Sequence, residues 1–261
     1  MLFKEDDQPI GAELARARDQ GFARTILIGA ADLLPEPGDG QVQIEEPVRN
    51  RDMAVEILNT LMPKLAGRWV AWSFGGEFLF FPFCETRKID DFTAFLTEEK
   101  RDAAFTYVID LYAGDLDAAP SGMDIGNAFL DRSGYYGFQR FRDGAPLDRQ
   151  FDIFGGLGWR MEQYIPWDRR RIDRVSLFRA RPGLEMRPDL TLSDEEMNTI
   201  ACPWHHNPTI ALASFRIAKS LKRNPGSTYE IGSFMWRRSE RFEWSSEHLM
   251  RLGFIEPGQW F

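Results

Sequence analysis

The chain has 261 residues, of which 43% are hydrophobic and 28% are charged. This composition is typical of a globular α/β protein with a substantial core. The net charge of −8 argues against a nucleic-acid partner, because phosphates attract basic surfaces.

Two further features limit the class of protein. The two cysteines, Cys84 and Cys202, form neither a disulfide framework nor a zinc-binding pattern. No apolar run is long enough to cross a bilayer, and the acidic start of the chain differs from the basic start of a signal peptide. We therefore expect a soluble, cytoplasmic protein without a transmembrane segment.

The first part of the chain alternates predicted strands and helices. Apolar runs with β-branched residues predict strands, and apolar residues at helical spacing predict helices. We predict strands over 1–4, 25–28 and 42–44, and helices over 6–17, 49–62 and 89–98. This alternation is typical of a doubly wound sheet with parallel strands.

The central stretch, residues 68–82, contains two apolar runs separated by Gly75, Gly76 and Glu77. The first run predicts a buried strand, which the glycines end. Because open α/β sheets bind ligands at the carboxyl ends of strands, this pattern places a candidate site at Glu77. The next predicted strand, 104–112, carries Asp110 near its far end.

Beyond position 113 the pattern becomes less regular. Residues 114–158 are rich in glycine, aspartate and proline and predict a long loop region of the kind that is often functional. We predict strands over 175–178 and 197–204 and helices over 209–222 and 238–252.

Short segments along nearly the whole chain share their order with one enzyme family. They are residues 4–6, 21–22, Trp69 with 77–79, 84–87, 109–112, 131–135, 155–156 with Arg160, and 205–206. In this order they resemble the family 2 glycosyltransferases of the GT-A fold, in the bacterial subgroup whose central strand reads Trp-x-x-x-x-Asp-x-Asp-Glu-Phe-Leu.

This resemblance implies one domain over 1–261 with a GT-A-like doubly wound mixed sheet, flanking helices and a helical C-terminal part. Residues 1–113 would form the nucleotide-binding half and 114–261 the acceptor side. The implied reaction transfers a sugar from a nucleotide-sugar to an unknown acceptor such as a glycan. In the family, the Asp-x-Asp carboxylates hold Mn²⁺ or Mg²⁺, which neutralises the departing diphosphate.

The chain departs from the family at this metal-binding motif. The Asp-x-Asp positions fall on residues 74–76, Phe-Gly-Gly, and only Glu77 is retained. The alternative function is therefore a catalytically inactive homologue whose aromatic-rich loops bind a glycan or a protein. Metal dependence is doubtful for the same reason.

Two carboxylates are the candidate catalytic residues. Glu77 is either a remaining metal or sugar contact, or a carboxylate that caps backbone amides. Asp110 is either a general base for the acceptor hydroxyl or a member of a buried salt bridge, since a buried carboxylate needs a partner. The two can act together only if the fold brings their strand ends together.

Three other residues are candidate substrate contacts. Asp32 follows the second predicted strand, Arg160 would grip a phosphate, and His206 would face the site. His206 and Glu77 are the only candidate metal ligands, although a partly exposed structural role is common for histidine. The run 169–171, three arginines, indicates either a solvated face or a contact for an acidic partner.

Overall fold

A computed structural model describes residues 1–260, so position 261, the last residue of the predicted domain, lies outside the described residues. The strands are β1 (Leu2–Lys4), β2 (Thr25–Gly29), β3 (Gln41–Glu45), β4 (Trp69–Ala71), β5 (Ser73–Phe74), β6 (Glu77–Phe80), β7 (Ala103–Ala113), β8 (Ala128–Asp131), β9 (Tyr136–Arg142), β10 (Ala145–Phe154), β11 (Asp173–Arg179), β12 (Ile210–Ser214) and β13 (Ser239–Arg241).

The helices are distributed along the whole chain. They are α1 (Gly11–Asp19), α2 (Arg51–Leu61), α3 (Ile89–Glu98), α4 (Gly156–Arg160), α5 (Arg216–Arg223), α6 (Pro225–Thr228) and α7 (Ser246–Arg251), with 3-10 turns at Met62–Leu65, Trp167–Arg169 and Glu195–Asn198. The predicted α/β class with a mixed sheet and flanking helices is confirmed. Within residues 1–260, no helix has both the length and the apolar character needed to span a membrane.

The first part of the chain forms a parallel sheet in the order β3-β2-β1-β5. Helix α1 connects β1 to β2, and α2 follows β3, as the alternating sequence pattern predicts. Asn50 caps the start of α2, because its side chain accepts a hydrogen bond from the backbone amide of Met53 and satisfies a donor that the first turn leaves free. The α3 bounds agree with the predicted helix 89–98.

One strand path joins this parallel sheet to the rest of the molecule. β4 is antiparallel to β11, whereas β5, two residues further on, is parallel to β1. Trp72 lies between β4 and β5, and its amide and indole nitrogens donate to the carbonyls of Ser176 and Val175 at 2.9 and 2.8 Å. The path 69–74 therefore belongs to both sheets.

The long strand β7 organises the second sheet. Its first half is antiparallel to β11, its middle is parallel to β12, and its end is antiparallel to β8. β12 is also antiparallel to β6. Every residue of β12 is buried, because strands flank it on both edges and other elements cover both faces.

The predicted helix over 209–222 is wrong in its first half. Residues Ile210–Ser214 form β12, and the helix α5 begins only at Arg216. A short apolar run fits a buried strand as well as a helix face, and the free edges of β6 and β7 provide the hydrogen-bond partners that select the strand.

Two other predictions near the C-terminus are also corrected. Within the predicted strand 197–204, the structure has the end of a 3-10 turn and a single bridge between Ala201 and His206. Within the predicted helix 238–252, β13 pairs with β8 first. Helix α7 follows after Ser245, whose hydroxyl caps it by accepting from the His248 amide.

The predicted loop region 114–158 contains a long β-hairpin. β9 and β10 pair from Arg142 with Ala145 back to Tyr136 with Phe154. Asp143 and Gly144 both have positive φ, 51° and 80°, as a two-residue hairpin turn requires. The Asp-Gly dipeptide was the available sequence signal for this hairpin.

Candidate functional site

The glycines of the central stretch form the turn between β5 and β6. Gly76 has φ +85°, a conformation that other residues resist. Glu77 is thus the first residue of β6 rather than the end of the preceding strand. Phe74, which precedes the turn, is fully buried against Phe3 and Trp72.

The Glu77 side chain is locked inside a hydrogen-bonded network. It is 2% exposed and accepts from the Phe74 amide at 2.8 Å and from Arg174 Nη2 at 2.5 Å. The Ser214 hydroxyl lies 3.3 Å from its other oxygen. Glu77 therefore caps a backbone amide, which is one of the two interpretations drawn from the sequence. It also forms a buried ion pair with Arg174.

Two arginines decide the charge of Glu77. Burial alone would raise the pKa of this carboxyl, but Arg174 and Arg216 outweigh that effect and hold the pKa below its ordinary value. The Arg174 guanidinium also lies over the Trp72 ring, 4.2 Å from its centroid. Glu77 is therefore ionised, and its negative charge is already matched within the protein.

Helix α5 covers the turn from one side with basic residues. Lys219 donates to the Gly75 carbonyl at 3.0 Å and to Asp6 at 2.9 Å. Arg216 binds both carboxylate oxygens of Glu5, at 3.0 and 2.9 Å, and lies 3.6 Å from the centroid of the Phe74 ring. These acids follow β1, so basic side chains of the same chain occupy the carboxyl edge of the parallel sheet.

Helix α1 holds the turn from the other side. The Glu13 Oε1 atom accepts from the Gly76 amide at 2.7 Å. Gly76 thus lies between Glu13 and Lys219, and a Cβ atom at this position would lie 3.1 Å from Lys219 Nζ. Residues 74–76, which the resemblance aligns with the Asp-x-Asp motif, thus form a packed structural turn.

Asp110 lies in a different environment. It is 2% exposed, and its Oδ2 atom accepts from the Gly158 amide at 2.8 Å. Burial raises its pKa to about 7, and the Gly158 amide offsets only part of that effect. Of the two interpretations of Asp110, the salt bridge is not the one observed, because its hydrogen-bond donor is a backbone amide rather than a basic side chain.

The fold brings Glu77 and Asp110 to the same level of one sheet. Ser214, at the end of β12, is in register with Glu77 on one side and with Asp110 on the other. The two strands are therefore separated by β12 alone, a distance of about 10 Å. The fold therefore brings the two strand ends close together, as a joint site requires. Each carboxylate nevertheless has its own set of hydrogen-bond partners.

Arg160 belongs to a third buried cluster, centred on Asp131. Its Nε atom donates to Asp131 Oδ2 at 2.6 Å, and its Nη2 atom donates to the Phe234 carbonyl at 2.8 Å. Tyr112 and Trp236 also donate to Asp131, at 2.6 and 2.7 Å. Asp131 was not among the predicted site residues, although it begins the Asp-Arg-Ser-Gly-Tyr segment of the resemblance.

The remaining predicted contacts lie apart from Glu77. Asp32 is exposed in the turn after β2. His206 is exposed and pairs with Glu256 at 3.1 Å, before the start of β12, whereas Glu77 pairs with the end of that strand. The two candidate metal ligands are thus more than about 13 Å apart along the strand direction. Residues 1–260 contain no group of three or more His, Cys, Asp or Glu side chains arranged to hold a metal ion.

Five aromatic residues, here called the aromatic platform, cluster at the end of the β9–β10 hairpin that lies away from its turn. Three members are half exposed: Tyr136 at 50%, Phe138 at 51% and Trp167 at 58%. Phe154 stacks on Trp167 with 4.8 Å between the ring centroids, and Trp159 contacts both rings and Tyr136 at 5.7 to 6.0 Å. An exposed apolar surface of this kind usually marks a binding site.

A groove of about 370 Å³ adjoins the platform at Tyr136. The residues that line it include three aromatic residues, Tyr107, Tyr135 and Phe254, and also Arg132. Arg132 is half exposed, with its closest carboxylate, Glu240, at 3.8 Å. The groove is thus lined by aromatic residues together with one basic side chain.

Comparison of the chain with protein-family models, curated proteins and solved structures finds no match.

Proposed function

We propose that this protein is a catalytically inactive, GT-A-like homologue of the glycosyltransferases that binds a glycan in the groove beside the aromatic platform. The ordered segments of the resemblance support the family relationship. The mixed α/β sheet, with the central stretch ending in a turn at the carboxyl edge of its parallel part, is consistent with a GT-A architecture.

The observation that carries the proposal is the closure of the turn 74–77. Glu77 is buried against Arg174, and Lys219 and Glu13 hold the backbone of the glycines on either side. A metal-bridged diphosphate would require carboxylate oxygens that are free to coordinate the ion. The single retained acid is instead neutralised by an arginine.

The groove is suited to sugars for a separate reason. The faces of pyranose rings carry C–H groups that pack on aromatic rings, while their hydroxyls need hydrogen-bond partners. Tyr135, Tyr136 and Phe254 provide the rings, and Arg132 provides donors. Binding sites of this size combine an apolar wall with a few polar groups that fix orientation.

The test is a thermal-stability screen with two groups of ligands. Oligosaccharides, neutral and acidic, are compared with uridine or guanosine diphosphate in the presence of Mn²⁺. A ligand at a hundred times its dissociation constant stabilises the folded state by about 2.7 kcal/mol. We expect stabilisation by at least one oligosaccharide and none by the nucleotides.

Two tyrosine variants locate the glycan site. Tyr136→Ala, between the groove and the platform, should weaken glycan binding at least tenfold. Tyr229→Ala removes a ring that is 89% exposed and does not line the groove, so it should leave affinity unchanged. Equal affinity of the two variants would contradict the assignment of the groove, and nucleotide binding by the wild type would contradict the inactive state.

A divergent glycosyltransferase is the second candidate function, and Asp110 favours it. A buried carboxyl whose pKa is raised to about 7 is matched to general-base chemistry near neutral pH. In that case Asp110 would take the proton of the acceptor hydroxyl, and Arg160 would have to leave Asp131 to contact the diphosphate. Release of nucleoside diphosphate from nucleotide-sugars, lost in Asp110→Asn, would establish this function.

A further inference from the structure

The sheet-facing side of helix α1 carries polar residues where apolar residues are usual. Glu13, Arg16, Ala17 and Gln20 follow the i, i+3, i+4, i+7 spacing of a single helix face, which normally forms the apolar stripe that contacts the core. All four line a cavity of about 70 Å³ between α1 and the sheet. The same cavity is also lined by Ser73 and Glu77, and Glu13 contacts the turn at Gly76. The polar face therefore adjoins the turn, and none of its residues lines the groove.

Two of these polar side chains are satisfied by the protein. Arg16 Nε and Gln20 Nε2 both donate to the Leu79 carbonyl at 2.8 Å. The Arg16 guanidinium also lies 3.7 Å from the centroid of the Phe80 ring. These contacts direct the arginine charge towards β6.

Glu13 is only half satisfied. The residue is 6% exposed, and its Oε1 atom accepts from the Gly76 amide, but its Oε2 atom is buried without any hydrogen-bond partner. The nearby ammonium groups of Lys219 and Lys4 are engaged with Asp6, at its carboxylate and its carbonyl respectively. A buried carboxylate oxygen without a donor costs free energy, which a ligand would recover.

The rest of the cavity wall is mostly apolar. Leu14, Ala17, Phe78, Leu79 and Leu212 contribute to it. Arg24 is exposed and also lines the cavity, so the cavity reaches the surface there. Its volume is about half that of an apolar cavity that admits benzene, which suits a chain of about four carbon atoms.

We propose that this cavity binds a small organic cation, a primary alkylammonium whose N–H groups donate to Glu13 Oε2 and whose hydrocarbon part packs against Leu14, Ala17 and Phe78. The ammonium provides the missing donor and adds a positive charge beside the carboxylate. A bound water would provide the donor alone, and it would gain nothing from the apolar wall. Burial raises the pKa of Glu13, so binding should strengthen as the pH rises and the carboxyl ionises.

The experiment compares n-butylammonium with 1-butanol, which has the same carbon chain and no charge, in thermal-shift titrations of the full chain at pH 8. We expect saturable binding of the amine, at least tenfold tighter than that of the alcohol. Equal affinities, or an amine that does not bind and leaves water as the only occupant, would overturn the proposal. This comparison needs no variant and is therefore independent of folding defects.

Variants then assign the site. Glu13→Gln keeps an oxygen that can accept from Gly76 but removes the charge, so it should weaken amine binding at least tenfold. Ala17→Leu should abolish it by filling the cavity. Asp19→Asn, on the exposed end of the same helix, is the matched control and should bind like the wild type. Unchanged affinity in both Glu13→Gln and Ala17→Leu would place the amine elsewhere and disprove the assignment.

Discussion

Glu77 and Asp110 are equally buried carboxylates on strands that both neighbour β12, yet their environments shift their pKa values in opposite directions. Glu77 has the guanidinium of Arg174 at 2.5 Å, and its pKa is lowered. Asp110 has a backbone amide at 2.8 Å, and its pKa is raised to about 7. An amide hydrogen bond offsets part of the desolvation of a carboxylate, whereas an adjacent cation offsets all of it. Burial alone therefore does not identify a reactive acid.

The largest expected effect comes from removing the cation of the Glu77 pair. Arg174→Met leaves a buried carboxylate without its partner and should lower the free energy of unfolding by about 3–5 kcal/mol. Urea denaturation measures this change. Arg169→Ala, at an exposed position, is the control and should change stability by less than about 0.5 kcal/mol.

A double variant tests whether the charge is the cause. Arg174→Met with Glu77→Leu removes both charges and should recover much of the stability lost in the single variant. No recovery would mean that the guanidinium acts through its packing on Trp72 rather than through Glu77.

The pH dependence of stability should separate the two acids. The pKa of Asp110 is higher in the folded state than in the unfolded state, so the folded state binds more protons between about pH 4 and 7. The free energy of unfolding should therefore fall by up to about 1.4 kcal/mol per pH unit as the pH rises through this range. Asp110→Asn should remove this loss. Asp39→Asn, at an exposed turn, should retain it.

The contribution of Glu77 to stability should depend on pH with the opposite sign. Its folded pKa is below the unfolded value, so its contribution is present above about pH 4.3 and is lost as the pH falls through the folded pKa. Glu77→Gln should therefore flatten the acid side of the stability profile. Identical profiles for the Glu77 and Asp110 variants would eliminate the contrast between the two sites.

The smallest effects concern the glycines beside each acid. Gly156 has φ +68°, and a Cβ there would lie 2.9 Å from Asp110 Oδ2. At Gly76 the close contacts of a Cβ would be with the flexible end of the Lys219 side chain, the nearest at 3.1 Å. A left-handed backbone conformation is strained for alanine, so both alanine variants should lower the free energy of unfolding by about 1–2 kcal/mol. Gly156→Ala should lower it more than Gly76→Ala does, because Asp110 is fixed by the Gly158 amide. Gly232→Ala, with no neighbour within 4 Å, is the control in thermal denaturation.

The sequence predicted individual helices and strands better than it predicted which residues they contact in the fold. The helix over 89–98 and the strands over 25–28 and 42–44 could be predicted from spacing and composition. Their apolar residues follow the helix or strand period within the segment itself. The Asp143-Gly144 hairpin was predictable from its dipeptide but lay in a region assigned to loops. Glu77 could be selected as an acid next to two glycines, and Asp110 as an acid near the far end of an apolar strand. Their different charge states could not be predicted.

By itself, the sequence determined the alternating strands and helices of the first half, the break at Gly75–Gly76 and the position of an isolated acid beside it. These properties depend on residues close in the chain. The tertiary structure decided that 210–214 is a strand, that Arg174, 97 residues away, neutralises Glu77, and that Asp110 receives an amide instead of a cation. The physical reason is that hydrogen-bond partners and desolvation depend on what packs nearby, and local spacing carries no information about segments a hundred residues away.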